Sequence, residues 1–170
     1  LIKGLKALKG RHIADEKLAE LAIHVEQNVT KENVGSQDQV SATFGGFNRI
    51  DFNRNDSFKV TPIIMPNERL HAFQDHLMLF FTGFSRIASE VARSKMDNMK
   101  AREQQMFRIA EIADEAMNVL QSGAPLEEIG KLLDESWKMK RSLSDKISTD
   151  SIDEIYETAM AAGATGGKIL

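Results

Sequence analysis

Cysteine is absent from the 170 residues, which excludes a disulfide framework, a thiolate nucleophile and zinc held by sulfur. That absence fits a reducing compartment, and the cytoplasm is the expected location. No excess of positive charge is present either. There are 22 Lys and Arg against 25 Asp and Glu, a formal charge of −3, and the isoelectric point is near 5.8. The broad cationic footprint of a nucleic-acid binder is therefore missing, and no nucleic-acid partner is expected. Long apolar runs are lacking too. The longest, around His76 to Phe81, falls far short of the roughly 20 residues that a membrane helix needs, so no membrane partner is expected. Neither an internal repeat nor a low-complexity stretch is visible. With 42% hydrophobic and 28% charged residues, the composition is that of an ordinary folded chain long enough for one good core or two small ones.

What is present begins with helical periodicity. Leu1, Leu5 and Leu8 share one face and Gly10 suits a stop. Leu18, Leu21, Ala22 and Val25 predict a second helix from about Asp15 to Gln27, completing a helical hairpin. From Asn28 to Gly46 the pattern gives way to polar residues without Pro or a charge run, and a polar loop of this length is a functional candidate. Alternation then takes over from Phe47 to Ile63. Phe47, Arg49, Asp51 and Asn53 fall on one face, Ile50 and Phe52 on the other, and Phe58, Val60 and Pro62 continue beyond an Asn-Arg-Asn-Asp turn: a β-hairpin. Pro62 and Pro66 suit a sheet edge or boundary, which places a domain break at 66/67.

Beyond the break, Asp75 to Thr82 is short, apolar and aromatic-rich, and reads as a buried strand ending at Gly83. A long helix is predicted from about Ser85 to Gln121, with Met99, Met106, Ile109, Ala113, Ala116, Met117 and Leu120 as an apolar stripe. Such a stripe fills a core or, less often, lines a soft binding groove. Pro125 suits the first turn of the next helix, expected to reach about Lys140 and to bury Leu126, Ile129, Leu133 and Trp137. Ser151 and Glu154 have capping-box spacing, opening a last helix with Ile152, Ile155, Ala159 and Ala162 inward. The tail from Gly163 is expected to turn back into a strand. The chain opens inside a helical pattern without Met and closes in a glycine-rich turn, and it reads as an excerpt of a longer protein.

Three stretches carry candidate chemistry. In Val34 to Phe47, Asp38 lies between Gln37 and Gln39, with hydroxyls at Ser36, Ser41 and Thr43 and permissive glycines at 35, 45 and 46. A general base needs a charged acceptor held by donors near the hydroxyl it deprotonates, and the two Gln suit that task. On spacing alone the other reading, an Asp that caps the next helix turn with Gln37 and Gln39 merely solvated, fits somewhat better. In Phe81-Thr-Gly-Phe-Ser-Arg-Ile87, Thr82, Ser85 and Arg86 at a strand-to-helix turn form an anion cradle, or else an N-cap Ser with a surface Arg. In Trp137 to Ser144, Lys138, Lys140 and Arg141 either complement a helix C-terminus or face an anionic ligand. The four His lack the spacing of a helical metal site, and no metal ligands are assigned.

In this order, the Gly-Ser-Gln-Asp-Gln loop, Phe-Gly-Gly-Phe-Asn hairpin, Thr-Gly-Phe-Ser-Arg turn, Trp-Lys-Met-Lys-Arg-Ser-Leu-Ser helix end and Gly-Ala-Thr-Gly-Gly-Lys-Ile-Leu tail resemble the GHMP kinase superfamily. The likeness within it is strongest to the D-glycero-D-manno-heptose 7-phosphate kinases, and it covers essentially the whole chain. The resemblance implies an α+β fold: residues 1–66 as the end of the family's N-terminal domain, and 67–170 as most of its ferredoxin-like C-terminal domain. It implies ATP-dependent phosphoryl transfer, with Mg²⁺, to the anomeric hydroxyl of a heptose 7-phosphate, with Asp38 as base. Gly35, Ser36, Gln37, Thr82, Ser85, Arg86, Lys140 and Arg141 would bind the sugar phosphate, and Gly166 and Gly167 would begin a glycine-rich nucleotide motif. The family's Pro-x-x-x-Gly-Leu-Gly-Ser-Ser phosphate motif would lie upstream of Leu1, and the third motif is cut at its start. The piece alone is therefore expected to be inactive and the complete protein to be a kinase. Two other readings stay open: a GHMP kinase for a neutral sugar such as fucose or galactose, and a catalytically incomplete helical binding module.

Overall fold

A computed structural model describes residues 1–82, 103–143 and 147–169. The described chain falls into two compact units that meet in sequence at Ile63 and Ile64.

The first unit starts with α1 (Ile2–Leu8). Gly10 follows with φ of 64°, a left-handed conformation that suits glycine and ends the helix. In α2 (Asp15–His24), Asp15 and Glu16 stand in the first turn, and Leu18 and Ala19 form the buried face. Where the periodicity predicts plain helix to Gln27, the chain instead widens into a π-helical turn, Val25–Val29. Its signature is the hydrogen bond from the Thr30 amide back to the Val25 carbonyl at 2.9 Å, five residues apart.

The stretch expected as a long loop holds a further helix, α3 (Gln37–Phe44), which buries Gln39 and Val40 and packs on α2. Its helical signal is weak because Val40 and Phe44 are the only large apolar residues along it. Tertiary burial of Val40, fully enclosed, supplies what local periodicity does not. Gly45 and Gly46, with φ of 61° and 70°, take the chain out of α3 in a conformation that a β-carbon would disfavour.

Strands β1 (Asn48–Phe52) and β2 (Phe58–Pro62) then pair antiparallel as expected, with Ile50 opposite Val60 and Phe52 opposite Phe58. Phe58 meets Phe44 edge-on at 6.1 Å between ring centroids, which ties the hairpin to α3. Arg49 Nε donates to Asp51 Oδ1 at 2.8 Å, as two residues on one strand face can. The turn is closed by the Asn53 amide on the Ser57 carbonyl at 2.8 Å, with Asp56 left-handed at φ 62°.

In the second unit, Pro66 precedes α4 (Asn67–Asp75). The predicted buried strand at Asp75–Thr82 is not formed. Asp75 ends α4, and Leu77 to Phe81 run on without regular structure and exposed, Phe81 at 90%. Local strand propensity was present, but among the described residues no neighbouring strand pairs with this segment, and an unpaired strand has no ladder to hold it. Of the long predicted helix, α5 (Glu103–Gln121) is described; Met99 lies outside the described residues. Ile112 and Leu120 are its buried positions and Ala113 is exposed, so the inward face is turned by one residue from the predicted stripe at that point.

α5 packs on α6 (Glu127–Ser142), which buries Ile129 and Trp137. Leu126 and Leu133 are half-buried. Trp137, Leu143 and Ile147, each 1% exposed, form the centre of this core. Full burial of side chains of this size stabilises by roughly 1.5–3 kcal/mol each. The last helix, α7 (Asp150–Ala161), is capped by Thr149, whose Oγ1 accepts from the Ile152 amide. The cap thus lies two residues before the predicted Ser151. With that start, Ile152 and the half-buried Tyr156 face inward while Ile155 is 38% exposed. The tail beyond Gly163 (φ 104°) is irregular rather than a strand through residue 169.

No helix among the described residues is long and apolar enough to cross a membrane. Helices dominate and the sheet has two strands, a helix-rich partial α+β arrangement.

Candidate active site

Asp38 occupies the first turn of α3, two residues after the N-cap Ser36. Its side chain is exposed, and among the described residues it forms no hydrogen bond and no ion pair, so its oxygens are open to a ligand. The expectation that Gln39 donates to Asp38 is not met. Successive side chains on a helix point about 100° apart, and Gln39 turns inward instead, 7% exposed. Its Nε2 donates to Glu26 Oε2 at 2.5 Å, and its Oε1 finds no donor among the described residues. Gln37 is exposed beside Asp38.

Behind this turn stands the π-helical segment. Gln27 Nε2 donates to the Val34 carbonyl at 3.0 Å and to Ser36 Oγ at 3.3 Å. The Glu32 amide bonds the Glu26 carbonyl at 2.9 Å, and Thr30 Oγ1 donates to the same carbonyl at 2.9 Å. Gly35 and Ser36 form the approach to α3, and a β-carbon at Gly35 would meet nothing within 4 Å. Of the hydroxyls in the stretch, Thr43 Oγ1 is directed to the Gln39 carbonyl at 2.7 Å, while Ser41 is exposed. Sequence reasoning missed Glu26, Gln27 and the π-turn. Five residues of π-helix leave no mark on an apolar pattern.

The remaining candidates belong to the second unit or lie outside the description. Thr82 is half-buried and hydrogen-bonded or otherwise engaged; Ser85 and Arg86 lie outside the described residues. Lys140 and Arg141 stand in the last turn of α6. Arg141 Nη2 donates to Asp153 Oδ2 at 2.5 Å, so its fork is engaged with α7, and Lys140 is also engaged. Lys138 pairs with Asp134 Oδ2 at 2.7 Å, and Tyr156 Oη donates to Asp134 Oδ1 at 2.5 Å. Asp134 consequently stays ionised below the usual carboxylate range, first through the Lys138 bond and then through Tyr156. Gly166 is packed on α6, where a β-carbon would fall 1.8 Å from the Gly130 carbonyl oxygen, whereas one at Gly167 would meet only the Tyr156 ring at 3.8 Å.

No family model matches the chain. It is 28% identical over 158 residues to a D-glycero-alpha-D-manno-heptose 7-phosphate kinase of Campylobacter jejuni, covering 92% of this chain and 46% of that protein. It is 23% identical over 168 residues to a bifunctional fucokinase/GDP-fucose pyrophosphorylase of Arabidopsis thaliana, covering 92% of this chain and 15% of that one. The fold matches the crystal structure of a D-glycero-D-manno-heptose 1-phosphate kinase from Bacteriodes thetaiotaomicron with a TM-score of 0.73 and 24% identity, over 99% of this chain and 45% of the other. The chain thus spans less than half the length of each of these relatives. Along 92% of its own residues, the likeness to a heptose 7-phosphate kinase that its motifs carry is found again in a whole-chain comparison, and its fold matches 45% of that solved structure.

Proposed function

We propose that this chain is part of an ATP-dependent sugar kinase in which Asp38 is the base, and that the acceptor is the anomeric hydroxyl of a heptose 7-phosphate. The observation that carries this reading is the state of Asp38: a carboxylate in the Gly-Ser-Gln-Asp-Gln stretch, exposed and unpartnered on a helix turn that is itself anchored from behind. Phosphoryl transfer asks a protein mainly for positioning and for stabilisation of charge. The sugar oxygen forms a new bond to the γ-phosphorus, the bond from that phosphorus to the β–γ bridging oxygen breaks, ADP leaves, and the hydroxyl proton passes to Asp38. An ionised acceptor within hydrogen-bond reach of the hydroxyl is what the first part of that step requires.

Residues 1–66 would then be the end of the N-terminal domain and 67–170 most of the C-terminal one. Gly35, Ser36 and Gln37 surround the base and would contact the sugar. Arg86, with Thr82 and Ser85, would contact the phosphate on carbon 7, with Lys140 and Arg141 secondary. Charge-assisted bonds of that kind separate a sugar phosphate from the free sugar. The nucleotide and its Mg²⁺ are held, in this reading, mainly by parts of the whole protein that this chain does not include. Gly166, filled by the backbone of α6, does not fit a phosphate cradle, and no step is assigned to it. When bound, Mg²⁺ would neutralise charge on the phosphates.

The test is ADP release by the whole protein offered heptose 7-phosphate, free heptose, fucose and galactose. Turnover with the phosphorylated heptose, and none from the 170-residue piece alone, is expected. The likeness to a fucokinase supports a second reading, a neutral-sugar kinase, and faster turnover of fucose than of the heptose phosphate would establish it. Arg86→Ala should erase the preference for the phosphorylated acceptor, and an unchanged preference would move that role elsewhere. Absence of turnover on every sugar by the whole protein would favour the binding module.

A further inference from the structure

We propose that Gln27 is a positioning residue for Asp38, acting as a clamp between the π-helical turn and the loop that opens α3. The proposal rests on the reading of Asp38 as the base.

Ser36 is the N-cap of α3, yet its hydroxyl makes no capping bond to the helix. A Ser at this position ordinarily satisfies one of the free amides of the first turn. Here the hydroxyl instead accepts from Gln27 Nε2 at 3.3 Å, and the same nitrogen donates to the Val34 carbonyl at 3.0 Å. A local bond that would have served helix stability is replaced by a tertiary one that serves placement. Departures of that kind from a local rule are expected where function sets the geometry.

The π-turn is what aims the clamp. One extra residue between Val25 and Thr30 re-aims the side chains that follow, so that two neighbours, Glu26 and Gln27, both reach the Asp38 segment. Glu26 Oε2 accepts from Gln39 Nε2 on the buried side of α3 at 2.5 Å, and Gln27 holds the loop leading into it. Asp38 itself is hydrogen-bonded to neither residue. Its position is set by a turn fixed before it at Val34 and Ser36 and after it at Gln39. Because a base must lie within about half an ångström of its productive place, loosening the leading anchor should slow proton removal without altering nucleotide binding.

The experiment uses the whole protein with Gln27→Met, which keeps length and removes the donor, and Gln27→Arg, which keeps N–H donors at similar reach. In Gln27→Met, amide hydrogen exchange at Gly35 to Gln39 should quicken and kcat should fall about tenfold, with KM for ATP and the circular dichroism unchanged. Gln27→Arg should return kcat to within about threefold of the parent. A simple loss of folded protein would not be rescued in this way and would alter the spectrum. Unchanged exchange in Gln27→Met overturns the clamp, and faster exchange with kcat retained overturns its positioning role. Asp38→Asn is measured alongside. Full activity there identifies the base assignment as the failure, whereas an inactive Asp38→Asn beside an unaffected Gln27→Met identifies the clamp as the failure.

Discussion

Gly166 rests directly on the main chain of Gly130: a β-carbon at Gly166 would fall 1.8 Å from the Gly130 carbonyl oxygen, and one at Gly130 would fall 1.8 Å from Thr165 Oγ1. The atoms met at Gly166 are helix backbone, which cannot step aside as a flexible side-chain end can. Gly166→Ala should therefore destabilise the second unit by about 1–3 kcal/mol, the usual range for overpacking, or more. Gly4→Ala offers the contrast. Gly4 lies inside α1 with open space around it, and replacing glycine by a better helix former there should gain roughly 0.5–1 kcal/mol. Urea midpoints of the two variants should move in opposite directions, and a common direction would contradict this packing.

Arg69 joins α4 to the end of α5. Its Nε donates to the Leu120 carbonyl at 2.9 Å, and its Nη2 to Val119 at 2.5 Å and Ala124 at 2.8 Å. The carbonyls of Val119 and Leu120 are among those that the end of α5 leaves without intrahelical partners, and that of Ala124 belongs to the connection to α6. Arg69→Ala should cost about 2–3 kcal/mol, because hydrogen bonds to a charged donor are lost and half-buried acceptors are left unpaired. Arg69→Lys, which lacks the planar fork, should recover only part of that. A denaturant midpoint for Arg69→Ala equal to the parent's would show that the clamp adds nothing.

Stability should depend on pH through Asp134 and Tyr156. The carboxyl of Asp134 lies below its ordinary value of 3.8, held there by Lys138 first and Tyr156 second. The folded chain therefore binds that proton less readily than the unfolded one, and the stabilisation is complete above the ordinary value and lost as pH falls through the depressed folded one. Tyr156 is displaced the other way, above 10.0, by burial first and by its bond to Asp134 second. Its contribution is complete below 10.0 and fades as pH rises through the higher folded value. Asp134→Asn should flatten the acid side of a stability profile, while Tyr156→Phe should remove the alkaline decline and cost about 1 kcal/mol near neutrality. Unfolding midpoints across the pH range would expose a profile that neither variant alters.

Asp38 should separate function from stability. An exposed side chain without partners contributes little to folding, so Asp38→Asn should leave the unfolding free energy within about 0.5 kcal/mol of the parent. In the whole protein the same change should lower kcat by about 10²–10⁴, the range a positioned base supplies. A variant that unfolds early would mean that the carboxylate has an architectural task instead.

The hairpin from Phe47 to Ile63 was legible in the sequence because its alternation is local and its turn residues are adjacent in the chain. So were the helices ending at His24, Gln121, Ser142 and Ala161, whose apolar stripes repeat over several turns. The motifs around Asp38 were equally readable, since they depend on residue types in order. Other features were not, among them α4 and the irregular tail beyond Gly163. α3 has too few apolar residues to announce itself and forms around the burial of Val40 against α2. The π-turn is a change of winding that no hydrophobic period records, yet it decides where Glu26 and Gln27 point. Leu77 to Phe81 had the composition of a strand, but a strand exists only when a neighbour offers its hydrogen-bonding edge.

The amino-acid order by itself therefore determined which segments can be helix or hairpin and which carboxylate is a candidate base, because both rest on short-range pattern. Only the tertiary structure decided that Gln39 turns inward, that Arg141 is engaged by Asp153, that Gly166 is filled by a helix backbone and that Asp38 is left open. Each of these depends on which distant group occupies the neighbouring space, and no local pattern carries that information.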